Sequence, residues 1–473
     1  SASDMETKGV VLCALTYGPE RSLGSPFTET KPAETCEMCR QGYVLAELEG
    51  DQFLLEKRAV KRLRVGLASQ SRQARQTAEG LARERAISVR LLKEDTRRTD
   101  IDIDVNLALS VAEDWERGFI RLLTRFTPVP LKWVVSVGVT REQLEAMFEK
   151  AGASGAFAEA TVVDASEVGG LEPTSKANAL VVVPYLSDHA LLRGINAQLR
   201  PKVDGGCVAY VTALTIADSA RNISDLRIFL QYGEHGPDTS TFKSAMDFML
   251  PWTGSRESPW SLELQLLRRL NADARLPGEL QPRLHLLETT ASAIDKLFWA
   301  GQSGELAINP DFVLLDTKTG RHPVSQADIY AIVSNCLAAA RCNNVHLDAK
   351  VSREEPTPVW RQTVYGQSLL CPSNFRDFND AVLRAALLRA ADAQELNYTV
   401  DEVSSEEMLD VVRADISSWS TGKGDSLPEF LLALACRRLR LVQNHVEQLR
   451  CSLVDANLGP RLQALVNELP IGP

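Results

Sequence analysis

No apolar run in this chain approaches the roughly 18 to 20 residues that a membrane-spanning helix needs, and no basic N-terminal stretch leads into an apolar one. Neither membrane insertion nor secretion is indicated, and a cytoplasmic protein is expected. The nine cysteines are odd in number and scattered over 473 residues, which argues for free or buried thiols over a disulfide framework. Histidine is scarce: the six, at 189, 235, 285, 322, 346 and 445, are too dispersed to announce a metal site or a catalytic triad. The P-loop, the glycine fingerprint of dinucleotide-binding folds, His-Glu-x-x-His and Gly-x-Ser-x-Gly are all missing. Their absence speaks against ATPases, dehydrogenases, zinc proteases and serine hydrolases. An initiator Met is missing too, which leaves room for a domain that begins ahead of Ser1.

What is present is the composition of a globular protein, 44% apolar and 24% charged, long enough for about two to four domains. A net charge of -10 makes the surface as a whole a poor general binder of nucleic acid. Residues 57–98 depart from that balance, with thirteen Lys and Arg against four Asp and Glu. Lys57, Arg58, Lys61, Arg62, Arg64, Arg72 and Arg75 are the candidate nucleic-acid contacts of this basic island. The alternative is a solvated face balanced by nearby acids such as Asp100, Asp102 and Asp104.

Patterning divides the chain into four parts. Residues 1–55 read as the end of an α/β domain: a strand over Gly9–Thr16, a Gly/Pro/Ser-rich loop, Cys36-x-x-Cys39, and Gly50-Asp51-Gln52-Phe53. Residues 56–124 read as a basic helical connector with a helix over Arg72–Arg85, a short strand over Ile101–Val105 and a helix over Leu107–Thr124. Residues 125–250 form a second α/β domain, opening with a strand over Leu131–Val137, a helix over Arg141–Gly152 and a strand over Ala160–Asp164. Beyond a Pro/Ser/Gly-rich linker at Pro251–Pro259, residues 260–473 are mostly helical. Helices are expected there over Ser261–Leu270, Leu284–Ala300, Ser325–Arg341, Phe378–Ala391, Ser405–Ser418 and Pro428–Leu453, with short strands over Phe312–Leu315 and Val364–Leu370. Ser325-Gln326-Ala327-Asp328 and Ser404-Ser405-Glu406-Glu407 resemble capped helix starts.

The segment Ala179–Ile216 carries most information. Ala179-Leu180-Val181-Val182-Val183 suits a parallel strand buried on both faces. Pro184-Tyr185-Leu186-Ser187-Asp188 is expected to break it, after which Ala190, Leu191, Ile195 and Leu199 mark a helix face from His189, and a strand begins at Cys207. In a βαβ unit of a parallel sheet, Ser187, Asp188 and His189 stand beyond the carboxyl end of the strand, where such folds bind ligands. Ser187 and Asp188 are equally suited to capping the helix.

This strand and turn resemble the phosphoribosyl-pyrophosphate (PRPP) loop of type I phosphoribosyltransferases, in which a strand of Val and Ile leads into two acidic residues and a Thr/Ser/Gly-rich loop. The resemblance implies a Rossmann-like parallel sheet and a site that holds a nucleotide or PRPP through Ser187, Asp188 and His189. Pro184 and Tyr185 occupy the positions of the acidic pair, so a catalytically degenerate protein binding a nucleotide, nucleic acid or protein partner is expected. The alternative is an active transferase that uses PRPP and Mg²⁺. Together with the basic island and the helical C-terminal part, the chain also resembles effector or accessory proteins of bacterial antiviral systems, including those that accompany retrons. Residues 1–55 are similar to a remnant of a related domain, with Cys36-x-x-Cys39 open to three readings: half of a zinc site, a redox pair or an ordinary turn.

Overall fold

A computed structural model of the chain describes residues 47–49, 52–54, 61–66, 80–82, 85–91, 99–104, 113–232, 239–251, 258–302, 304–307, 324–349, 368–378, 380–421, 424–454, 456 and 458–470. The expected strands over Gly9–Thr16 and Phe312–Leu315, the Cys36 and Cys39 pair, and His235 lie outside these residues. The chain divides into two compact units, residues 1–61 with 358–366, and residues 62–357 with 367–473. In the first, β1 (Glu47–Glu49) and β2 (Gln52–Leu54) pair antiparallel with Glu49 opposite Gln52.

The second unit holds both the parallel sheet and the helical part. Ahead of the sheet come β3 (Lys61–Leu63), which enters this unit at Arg62, β4 (Ile87–Arg90), β5 (Ile101–Ile103) and α1 (Glu113–Phe126). The sheet itself is built from β6 (Trp133–Ser136), α2 (Arg141–Lys150), β7 (Thr161–Asp164), β8 (Ala179–Leu186), α3 (His189–Val203), β9 (Val208–Ala217), α4 (Ala220–Gln231) and β10 (Ser240–Met249). Its five strands are all parallel, in the order β10-β9-β8-β6-β7. Counted along the chain this is 2-1-3-4-5, a common doubly wound order whose direction reverses between its first and third strands, here β6 and β8.

Alternation decides which residues face which layer. Val135, Val181, Val183 and Tyr210 pack with Leu192, Ile195 and Leu199 of α3 and Leu226 and Leu230 of α4. Val134, Leu180 and Val182, equally buried, point the other way, towards the side covered by α1 and α2. Burial on both faces explains why β8 and β9 read as apolar runs without alternation. Between α3 and β9 the chain turns at Asp204 and Gly205, both left-handed, and Gly206 lies so close to the Ala177 carbonyl that a Cβ would collide with it.

The helical part comprises α5 (Pro259–Ala272), α6 (Gln281–Thr289), β11 (Ser292–Ala293), α7 (Gln326–Ala349), β12 (Ser368–Leu370), α8 (Ala381–Ala390), α9 (Glu402–Ser418), α10 (Leu427–Ala435), α11 (Gln443–Val454) and α12 (Gly459–Asn467). Residues 326–340 of α7 are buried all round, as befits a central helix packed on α8, β4 and β10. Asn335 Nδ2 donates to the Met249 carbonyl at 2.9 Å and ties α7 to the end of β10. The Ser325–Asp328 box is present: Asp328 Oδ2 accepts from the Ser325 N–H at 2.8 Å, and Ser325 Oγ accepts from the Asp328 N–H at 3.2 Å.

Four expectations need correction. Pro184 and Tyr185 do not break β8, which continues to Leu186 with Tyr185 opposite Leu214. The Ala179 N–H donates to the Cys207 carbonyl on the β9 side, so Pro184, an odd number of residues on, directs its missing N–H to the β6 side. Pairing with β6 ends at Ser136 opposite Val182, and no ladder bond is lost there. The helix expected over Leu284–Ala300 stops at Thr289, because residues 292–293 pair instead with the edge of β4. The single helix expected over Pro428–Leu453 is two, α10 and α11, divided at Arg437, which takes a φ of 56°. There the Arg438 N–H donates to Ala433 and the Arg437 N–H to Leu434, a left-handed helix end that usually selects glycine. Finally, α9 begins at Glu402, so Ser404 and Ser405 are interior residues; Ser405 Oγ accepts from the Val442 N–H at 2.9 Å.

Candidate functional site

The crevice between the loops leaving β6 and β8 is where a sheet of this order binds its ligand. After β6 the chain turns through Gly138, at a φ of 65°, into the Thr140 cap of α2. Thr140 Oγ1 accepts from the Gln143 N–H at 3.3 Å, and Gln143 Oε1 accepts from the Thr140 N–H at 3.0 Å. After β8 come the three residues expected to bind ligand. Ser187 is half-buried and makes no hydrogen bond to the described residues. Asp188 is exposed and caps α3, its Oδ1 accepting from the Ala190 N–H at 3.0 Å. His189 is 4% exposed, with Nε2 at 2.9 Å from the Ile216 carbonyl at the end of β9. A carbonyl only accepts, so this bond places the proton on Nε2 and leaves Nδ1 as acceptor in the neutral ring.

Acids mark the neighbouring strand ends as well. Asp164 ends β7, and hydrogen bonds from the Ser166 hydroxyl and N–H hold its carboxyl below the ordinary value. Asp218 follows β9 and accepts from Ser219 Oγ at 3.1 Å, while Ser219 Oγ accepts from the Asn222 N–H at 3.2 Å and caps α4. The helix starts α2, α3 and α4 thus carry side-chain caps, and carboxylates stand at the ends of β7, β8 and β9. A free phosphate would meet like charge here, whereas hydroxyl and N–H donors would find acceptors.

One residue of this edge carries no signal in the sequence. Asp247 of β10 sits opposite Thr215, and its buried Oδ1 has no hydrogen-bond partner among the described residues. Burial raises its carboxyl above the ordinary value, against the opposing pull of Ser244, Arg227 and His189. Thr212 and Thr215 hydroxyls lie 2.8 Å apart, and Thr215 Oγ1 donates to Ser244 Oγ at 3.0 Å, a chain of hydroxyls leading to this acid. An alternating pattern around Phe242 and Phe248 could have flagged β10, but its polar residues obscure it.

The basic island is partly in view. Lys57, Arg58, Arg72 and Arg75 lie outside the described residues, and Lys61 opens β3. Arg62 lies 3.2 Å from Asp401 and 3.7 Å from Glu407, and Arg64 lies 3.5 Å from Asp377. Arg85 lies 3.9 Å from Asp295, and Arg90 pairs with Asp102.

Comparison of the chain with protein-family models, curated proteins and solved structures returns no match. The Mg²⁺ and PRPP of a working transferase do not fit the residues at the end of β8 and beyond it. Pro184 and Tyr185 supply no carboxylate, and the Asp188 oxygen that faces the helix start is already accepting from Ala190.

Proposed function

We propose that the chain is a phosphoribosyltransferase-like protein that keeps a ligand-binding sheet without the transfer chemistry, and that it binds a nucleotide in the bacterial antiviral setting its resemblance implies. The observation that carries this reading is the course of β8. The positions of the acidic pair are held by Pro184 and Tyr185 inside the strand, and the one carboxylate of the following turn, Asp188, is a helix cap. The acids beyond β7, β8 and β9 favour a nucleoside presented by its sugar hydroxyls and base N–H groups, with its phosphates directed away from them.

The test is the absorbance ratio of the purified protein at 260 and 280 nm, mass spectrometry of anything released on denaturation, and incubation with PRPP, Mg²⁺ and each common base. A retained or added nucleotide should bind, and no pyrophosphate should form. Pyrophosphate release that disappears in Asp188→Ala would overturn the reading in favour of an active transferase. Absence of any nucleotide binding would overturn it in favour of a protein or nucleic-acid partner.

A further inference from the structure

A cavity of about 290 Å³ lies where the start of β5, the end of β10, α5, α7 and the chain after α8 meet. It shares no lining residue with the β6–β8 crevice, and a ligand bound in it would be independent of the transferase-like reading. Its wall is largely apolar, with Ile101, Pro251, Pro259 and Leu262 among the lining residues, and exposed Ala393 marks the rim.

Two arginines also line it, and they differ in one respect. Arg389 is neutralised by Glu429 and Glu263, each at 2.8 Å. Arg438 is 9% exposed, and its Nη2 donates to the carbonyls of Arg389 at 3.2 Å and Ala391 at 2.6 Å. No carboxylate among the described residues lies within ion-pair distance of it, whereas Arg283, Arg341 and Arg384 each hold a Glu or Asp. Burial disfavours the charge on Arg438 and Arg389 adds to the penalty, while Tyr330, Cys436 and the more distant Asp392 favour it. A guanidinium does not shed its proton in a protein, so a buried positive charge with no carboxylate in ion-pair contact among the described residues stands in the wall of the cavity.

We propose that this cavity binds a small organic monoanion, a carboxylate on an apolar or aromatic body, with Arg438 as its counter-ion. The volume is at the lower limit of small-molecule pockets, which restricts the ligand to a compact one. Tyr330 and Ser334 add hydroxyls to the same wall. Asp100 and Asp392 also line the cavity, Asp392 lying 3.7 Å from Arg341; both acids oppose a dianion about twice as strongly as a monoanion, which selects against phosphate dianions.

The test uses the full chain with benzoate, phenylacetate and hexanoate, their neutral amides, and inorganic phosphate, followed by tryptophan fluorescence and thermal unfolding. The reporter is Trp260, whose ring lies 5.2 Å from both the Arg389 guanidinium and the Tyr330 ring. At least one carboxylate should bind saturably, its amide and phosphate roughly tenfold or more weaker, and Arg438→Met should weaken the carboxylate by about 10- to 100-fold. Ala393→Trp, which fills the cavity from its exposed rim and spares the buried side chains, should also abolish binding and keeps the test open if Arg438→Met fails to fold. Failure of all three carboxylates, equal binding of an amide or of phosphate, or parental affinity in either variant would overturn the proposal.

Discussion

Replacing Arg389 with Met should be among the most damaging single changes in the helical part of the chain. Arg389 Nε and Nη2 donate to the two oxygens of Glu429 at 2.8 Å, and Nη1 donates to Glu263 at 2.8 Å. Glu263 also accepts from Arg283 Nε at 2.6 Å and Trp299 Nε1 at 2.5 Å, and Glu429 accepts from the Trp299 N–H at 2.7 Å. The network thereby joins α5, α6, α8 and α10. Both carboxylates are almost wholly buried, so removing the arginine strands charge in a medium that solvates it poorly, at a cost of about 3 to 5 kcal/mol. Adding Glu429→Gln to Arg389→Met removes the stranded charge, keeps an acceptor for the Trp299 N–H and leaves Glu263 with Arg283; the double variant should regain about 1 to 3 kcal/mol over the single one. Urea unfolding followed by the fluorescence of Trp260 and Trp299 measures both. A cost below about 1 kcal/mol for Arg389→Met, or a double variant less stable than the single, would refute the reasoning. Acid provides a second check. Burial pushes the Glu263 carboxyl up, but Arg283 and Arg389 together hold it down at about 2, below its ordinary 4.5. Such a group stabilises the fold fully above pH 4.5 and loses that contribution, about 3 kcal/mol, as pH falls through 2.

Three further outcomes are expected. Burial raises Asp328 to about 6 from 3.8, despite its bonds to Ser325, so its ionisation disfavours the fold and the stability of the neutral form is lost as pH rises through 6. Stability should therefore gain about 1 kcal/mol from this group between about pH 7 and 5, and thermal unfolding of Asp328→Asn should lack that increment; an identical pH dependence would count against it. Asp188→Ala should cost about 0.5 to 2 kcal/mol as a lost cap, and weaken binding of a nucleotide whose hydroxyl or N–H groups donate to this carboxylate, as calorimetry would show; unchanged affinity would place the nucleotide elsewhere. If single-stranded DNA or RNA binds the basic island, Arg64→Gln should lower the salt slope by about 0.7 to 0.9 and Arg62→Gln by less, because Arg62 is held between two acids and the Arg64 side chain is 75% exposed. Equal effects in titrations at several salt concentrations would contradict the pairing argument.

The βαβ unit was legible because local pattern and burial coincide there. Ala179–Val183, the helix face from His189 and the strand ending near Ile216 appear where the periodicity places them, since a strand buried on both faces and a helix buried on one leave different signatures. α4 and β10 are not marked in the same way. The polar residues Lys243, Ser244 and Asp247 in β10 are tolerated because it is an edge strand, and Asp247 becomes a buried acid only when α3 and α4 cover it. The division at Arg437 escapes the sequence because the left-handed residue there is not glycine.

The sequence by itself therefore determined the α/β character of residues 133–217, the helical character of the C-terminal part and the absence of a carboxylate pair after Val183. Tertiary structure alone decided the strand order, the placement of Pro184 just beyond the end of β6, the burial of Arg389 between Glu263 and Glu429, and the meeting of distant segments around Arg438. Short-range periodicity reports how each segment meets water. It contains no record of which distant charge will lie beside which, and for buried ions that partner, not the residue type, sets the sign of the contribution.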